Sequence, residues 1–161
     1  MADPEEGSCE LKDFPRSMMF PTADFVSGQL VACYFNWCEI YNGGEWNHLV
    51  DTRETRLYHS SAVSDDRILL IGGPSRSTEW ISVDGSPSQL GPFEVRHGQN
   101  HCTIQLSVDT IVVTGGLETE EYVTEYLLTG DASEKPLTPL TYGRSYHACA
   151  VYQDAGGKQA I

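Results

Sequence analysis

Residues 56–73, RLYHSSAVSDDRILLIGG, set an arginine three places before a histidine, then a run of small residues, a polar turn, an apolar run and a glycine pair. The order nearly returns as GQNHCTIQLSVDTIVVTGG at 98–116 and begins again as RSYHACAVYQDAGGKQAI at 144–161. Aligned on the histidines, His59, His101 and His147 fall 42 and 46 residues apart, and the pairs Gly72-Gly73 and Gly115-Gly116 fall 43 apart. Beyond each glycine pair a second phrase recurs, STEWISVDGS at 77–86 and VTEYLLTGDA at 123–132, so Trp80 matches Tyr126. A worn earlier copy, GQLVACYFNWCEIYNGGEW at 28–46, carries CEIY where the later copies carry TEWI and TEYL and lacks the strand-ending glycines. A repeat of this length has to be sought before anything else, because missing it miscalls the fold.

Each unit reads as strands. RILLIGG and TIVVTGG are short, apolar, β-branched runs that end at glycine, and HSSAV and HACAVY carry small residues suited to a crowded strand. Turn mixtures such as DGSPSQLGP separate them, and no helical period runs for a useful length. A four-stranded sheet repeated at this spacing marks a β-propeller blade. The apolar runs are expected nearest the central axis, where both faces of the strand are covered. The glycines end the strand where the backbone turns sharply or comes close to a neighbour.

In these residues the chain resembles kelch repeats: apolar run plus diglycine at 69–73 and 111–116, the downstream aromatics Trp80 and Tyr126, Trp46 ten residues before Arg56, and the R-x-x-H phrases Arg56/His59 and Arg144/His147. The resemblance covers about 28–161. It implies an all-β fold, a kelch-type propeller segment of about three four-stranded blades at about 28–66, 67–108 and 109–153, with a further strand starting at 158–161. Residues 1–27 form an acidic, loosely ordered lead-in. The departures are the missing first diglycine, Gly98 in the position of Arg56, and Gly156-Gly157, which reads as a hairpin turn rather than a strand end. Three blades cannot close a ring that needs four to eight. A segment of a longer product is the expectation, with self-association to complete the ring as the alternative.

The bulk numbers bound the partners. The 161 residues are 40% hydrophobic and carry a net charge of −13, with three lysines among ten basic residues. Phosphate binding needs clustered Lys and Arg, so nucleic acid is disfavoured, as is an anionic membrane surface. No apolar stretch reaches the roughly 18 residues of a membrane span. The start, MADPEEGS, has no secretory pattern, which points to the cytoplasm by default and to export if the natural start lies upstream. Cysteines stand at 9, 33, 38, 102 and 149. Cys33 and Cys38 flank YFNW, and a disulfide joins them if they face each other across a hairpin. Five free thiols is the other reading, the favoured one without a leader.

The reactive residues read as architecture. Histidines 59, 101 and 147 sit at equivalent places in successive units, so rotation about an axis separates them and a converging metal site is not expected. Cys102 and Cys149 recur with the repeat and read as small core residues. There is no nucleophile elbow and no phosphate loop, so neither an enzyme nor a cofactor is expected. Kelch resemblance places partner contacts in loops: the acidic Glu118, Glu120 and Glu121, and the loops entering the histidine strands, where Arg56, Tyr58, Asn100, Arg144 and Tyr146 are the candidates. Arg and Tyr are enriched at interface hot spots, and intra-blade bonding is the rival role for the arginines. The expected function is a non-catalytic module that binds another protein or peptide, of basic character. A fragment of a propeller enzyme of the galactose-oxidase type, or an extracellular adhesive protein, are the alternatives.

Overall fold

The computed structural model describes residues 13–14, 20–128, 133–150, 152–153 and 159–160. Its described elements are strands only, joined into antiparallel meanders. The first sheet is β1 (Thr22–Val26), β2 (Gln29–Asn42) and β3 (Glu45–Arg56), in that order. The second is β4 (Ser60–Ser64), β5 (Arg67–Ile71), β6 (Ser77–Ser82) and β7 (Gln89–Glu94), and the third is β8 (Cys102–Ser107), β9 (Thr110–Thr114), β10 (Val123–Leu127) and β11 (Glu134–Pro136). A short pair, β12 (Tyr152–Gln153) and β13 (Gln159–Ala160), follows. Cys9 and Gly156-Gly157 lie outside the described residues, as does most of the lead-in.

Three expectations need correcting. The lead-in ends earlier than residue 27, because Thr22–Val26 pairs with β2 as a strand of the first sheet. The sheets run 22–56, 60–94 and 102–136, so β4 and β5 share a sheet that the boundary at 66/67 divides. The apolar runs are not innermost. The strands that lie side by side between sheets are β1, β4 and β8, while β5 and β9 stand second in their sheets.

That second place explains why RILLI does not alternate polar with apolar. Side chains of a strand point to opposite faces in turn. Ile68 and Leu70 enter a core shared with Val26, Val31, Ile40 and Val50 of the first sheet. Leu69 and Ile71 enter a second core with Ile111, Val113 and Tyr126 of the third. One five-residue strand therefore supplies two cores, and all four side chains are fully buried. Each contributes roughly 1.5–3 kcal/mol by the usual measure of apolar burial.

The joints between sheets explain the glycines. Gly72 and Gly115 have φ of +67° and +64°, a region that L side chains enter at a cost. A Cβ on Gly72 would lie 2.6 Å from Cε1 of His101, which belongs to the next sheet, and a Cβ on Gly115 would lie 2.6 Å from Cε1 of His147. The glycine of one unit is thus the seat for the histidine of the next. The prediction follows from contrast with Gly28, whose φ is +78° but which has open space beside it. Gly28→Ala is expected to cost about 1 kcal/mol, the strain alone. Gly72→Ala is expected to cost clearly more in urea unfolding, and equal costs would contradict the joint.

Candidate functional site

Among the described residues Arg56, at the end of β3, is buried with 1% of its side chain exposed and all its nitrogens engaged. Its Nε donates to Oε2 of Glu79 at 3.0 Å, and Glu79 is itself fully buried. Its Nη1 donates to the carbonyls of Gly72 at 2.8 Å and Ser77 at 2.7 Å, and Nη2 to Oγ of Ser77 at 2.8 Å. The other Glu79 oxygen accepts the Arg53 amide at 2.6 Å. Arg56 is therefore a bolt between the first and second sheets, and the expectation of a partner contact there is corrected: nothing outside can reach it. Arg144, its counterpart in the alignment, is exposed.

At the second joint the alignment offers Gly98 where Arg56 stands. A Cβ there would run into the Leu117 carbonyl, so only glycine fits. The neighbouring residue takes over. His97, buried, places Nδ1 2.8 Å from the Gly115 carbonyl, the counterpart of Gly72, and Nε2 3.1 Å from Oγ1 of Thr124. Burial, partly offset by that carbonyl, lowers the pKa of His97. Residue-by-residue alignment hides this exchange, because the functional position has moved by one.

Breaking a buried ion pair by removing one partner strands the other charge and costs about 3–5 kcal/mol. Arg56→Ala or Glu79→Ala is expected to destabilise by that order. The double variant is expected to cost much less than the two together in a denaturant double-mutant cycle. Additive costs would show that the pair does not act as a unit.

The histidines form relays. Nδ1–H of His59 donates to the Arg56 carbonyl at 3.0 Å, which leaves Nε2 to accept from Oγ1 of Thr22 at 3.0 Å. In His101 Nδ1–H donates to the Gly98 carbonyl at 2.8 Å, and Nε2 accepts from Oγ of Ser60 at 2.8 Å. Ser60 in turn meets Oγ1 of Thr103 at 2.5 Å. Nε2 of His147 is 2.9 Å from Oγ1 of Thr114. Burial first, and Arg56 second, hold His59 at a pKa of about 4; burial holds His101 at about 4 as well. Both rings are neutral at pH 7. Unfolded histidine titrates near 6.5, so between pH 6.5 and 4 only the unfolded state takes up these protons. Stability from the two rings is full above pH 6.5 and falls as pH drops towards 4, by about 1.4 kcal/mol per pH unit for each. Urea unfolding across that window is expected to show a shallower pH slope in His101→Asn than in the wild type. Identical slopes would contradict the neutral assignment.

These histidine loops bring residues together. Phe20, Tyr58 and Asn100 each stand two residues before β1, β4 or β8, Tyr146 stands at the matching place after Arg144, and each has a left-handed backbone, with φ of 59°, 57°, 60° and 54°. The Asn100 amide donates to the Tyr58 carbonyl at 3.1 Å, and the Tyr146 amide to the Asn100 carbonyl at 3.0 Å. The rings of Phe20 and Tyr58 lie 4.6 Å apart, those of Tyr58 and Tyr146 6.4 Å apart. With Pro21 and the three histidines they line a cleft of about 340 Å³. Nδ2 of Asn100 is buried with no hydrogen-bond partner, a state that costs about 1–3 kcal/mol when left unfilled.

Of the expected contact residues, Tyr58, Asn100 and Tyr146 thus share one cleft. Phe20 belongs with them and was hidden in the lead-in, because Pro21 stands where its fellows carry histidine. The acidic loop lies beside them. Leu117 N bonds the Gln99 carbonyl at 2.8 Å, Arg144 N bonds the Glu120 carbonyl at 2.8 Å, and Arg76 reaches Glu118 at 3.4 Å. Glu118, Glu120 and Glu121 are exposed. Trp46 meets Tyr41 edge to face at a 5.1 Å centroid distance, Arg67 lies 4.4 Å over the Trp80 ring, and Tyr126 stacks on Phe93 at 4.8 Å, so all three motif aromatics are packing residues.

The Cys33–Cys38 disulfide is present, so the reading of five free thiols is corrected. Cys33 and Cys38 are bonded, but both lie on β2, where the bond pinches out a bulge carrying Tyr34, Phe35 and Trp37 rather than bridging a hairpin. Cys102 and Cys149, read as core residues, are bonded to each other. Among the described residues no three His, Cys, Asp or Glu side chains stand together in a way that could hold a metal ion.

No family model and no curated protein sequence matches the chain. Among solved structures 127 chains match. One is the structure of YjhT, with a TM-score of 0.73 and 14% identity, over 84% of this chain and 56% of that one. At that identity the likeness is one of fold, and this chain spans little more than half the length of that structure.

Proposed function

We propose that the chain is a segment of a kelch-type β-propeller, each meander one blade, and that it is a non-catalytic module binding a protein or peptide at the cleft of Phe20, Tyr58, Asn100 and Tyr146. The observation that carries the reading is the convergence of four equivalent loop tips, three of them aromatic, on one opening. Three sheets in succession, with their first strands adjacent, support the propeller geometry. Phe20 and Tyr146 are more than half exposed, which costs the free protein apolar hydration that a bound segment removes. The exposed glutamates beside the cleft and the net charge of −13 favour a partner with basic flanks. The neutral histidines leave the centre of the cleft uncharged.

The two disulfides favour an exported chain over the cytoplasmic default, since such bonds persist in oxidising compartments.

The test uses peptides selected from a random display library on the wild-type chain. Tyr58→Ala and Tyr146→Ala are each expected to weaken the selected peptides at least tenfold with the β circular dichroism unchanged. Unaltered binding in both variants would discard the cleft.

A further inference from the structure

The inner strands are joined sideways by a contact that repeats. The residue after one histidine meets the residue two places after the next: Ser60 meets Thr103, hydroxyl to hydroxyl. One unit further on, those places are Cys102 and Cys149, and a disulfide joins them, with Cα atoms 6.0 Å apart. A covalent bond thus stands where the preceding joint has a hydrogen bond. Cys102 also takes the place of the hydroxyl that caps His101, and His147 turns to Thr114 instead.

We propose that Cys102–Cys149 is a redox-labile staple that holds the Tyr146 wall of the cleft in place, so that its reduction opens the cleft and abolishes binding there. The inference rests on the cleft reading and adds its regulation. Two observations carry it beyond the register. The first is access: Cys102 and Cys149 are both partly exposed, whereas Cys33 and Cys38 are 2% and 0% exposed. Exchange requires a thiolate to reach a sulfur, so the two bonds differ in exposure to reductant. The second is the hold on the wall. Residues 137–150 form no strand, and Tyr142 and Tyr146 are 75% and 66% exposed. From Arg144 to Tyr146 the backbone is tied by three bonds, to Glu120, Gly116 and Asn100. Tyr146 is three residues from Cys149, so the staple is the covalent anchor of that wall.

The chemistry balances with a dithiol as reductant. One thiolate attacks a sulfur of the disulfide, giving a mixed disulfide and freeing the other cysteine. The second thiol of the reductant then displaces the remaining cysteine. The reductant leaves as a disulfide, two electrons having passed, and Cys102 and Cys149 are left as protonated thiols.

The experiment titrates the native chain with dithiothreitol, traps thiols with iodoacetamide, maps the labelled peptides, and follows amide hydrogen exchange on the selectively reduced protein. Cys102 and Cys149 are expected to label at least tenfold faster than Cys33 and Cys38. The Tyr146 and Gly116 amides are expected to lose protection while those of β5 and β9 keep it. The variant Cys102→Ser/Cys149→Thr restores the hydroxyl pair of the preceding joint, and its protection and peptide binding are expected to be indifferent to reductant. Equal labelling rates, or full Tyr146 protection after selective reduction, would overturn the staple. So would a Ser/Thr variant that still responds to dithiothreitol. Labelling and exchange need no ligand, so they judge the staple separately from Tyr58→Ala, which judges the cleft. A display-selected peptide is expected to lose at least tenfold in affinity on reduction of the wild type, and unchanged affinity would overturn the link between staple and cleft.

Discussion

Arg56 cannot be placed without placing most of the first two sheets. A guanidinium out of water needs its charge compensated and its donors filled. Glu79 supplies the charge from β6, while Gly72, just after β5, and Ser77, the first residue of β6, supply acceptors. Those groups have the right spacing only if β3 lies against the second sheet in one register. The Gly72 turn must also run backwards, with its positive φ, to aim its carbonyl at the guanidinium. The same turn then presents a bare Cα to His101 of the third sheet. One ion pair therefore fixes two joints, and the joints in turn decide where the loop tips of the cleft stand.

Much of this was legible in the sequence, and the limits have physical causes. The period and the all-strand character follow from residues that must be small, apolar or glycine at fixed places. The pairing between copies does not. Sequence shows that each copy holds a diglycine and a histidine, but not that the diglycine of one seats the histidine of the next. Arg56 and Arg144 look alike on the page. One is buried and one exposed, because burial depends on a carboxylate brought from another sheet. The alignment conceals the role of His97, which does the work of an arginine from one position away, and that of Phe20, whose neighbour is proline. The inner strands were misplaced for a related reason. β5 is apolar on both faces because it serves two cores, and a centre between sheets needs no such strand.

The candidate site divides by what each side chain already has. The histidines are committed, with both ring nitrogens of His59 and His101 engaged and their charge suppressed by burial. They hold the loops and leave the open surface of the cleft to the aromatic rings. The proposed recognition rests on the aromatic walls and the acidic loop beside them. On that proposal, specificity comes from which residues stand at the four equivalent tips.

The glycine turn of one unit seats the histidine of the following unit, and everything above it depends on that contact. A nuclear Overhauser spectrum of the labelled chain reads this in one step. A cross-peak between the Hα protons of Gly72 and Hε1 of His101, matched by one between Gly115 and His147, is the predicted result. Cross-peaks from Gly72 to His59 and from Gly115 to His101 instead would place glycine and histidine of the same unit together. That pattern would contradict the joints, and the cleft built on them.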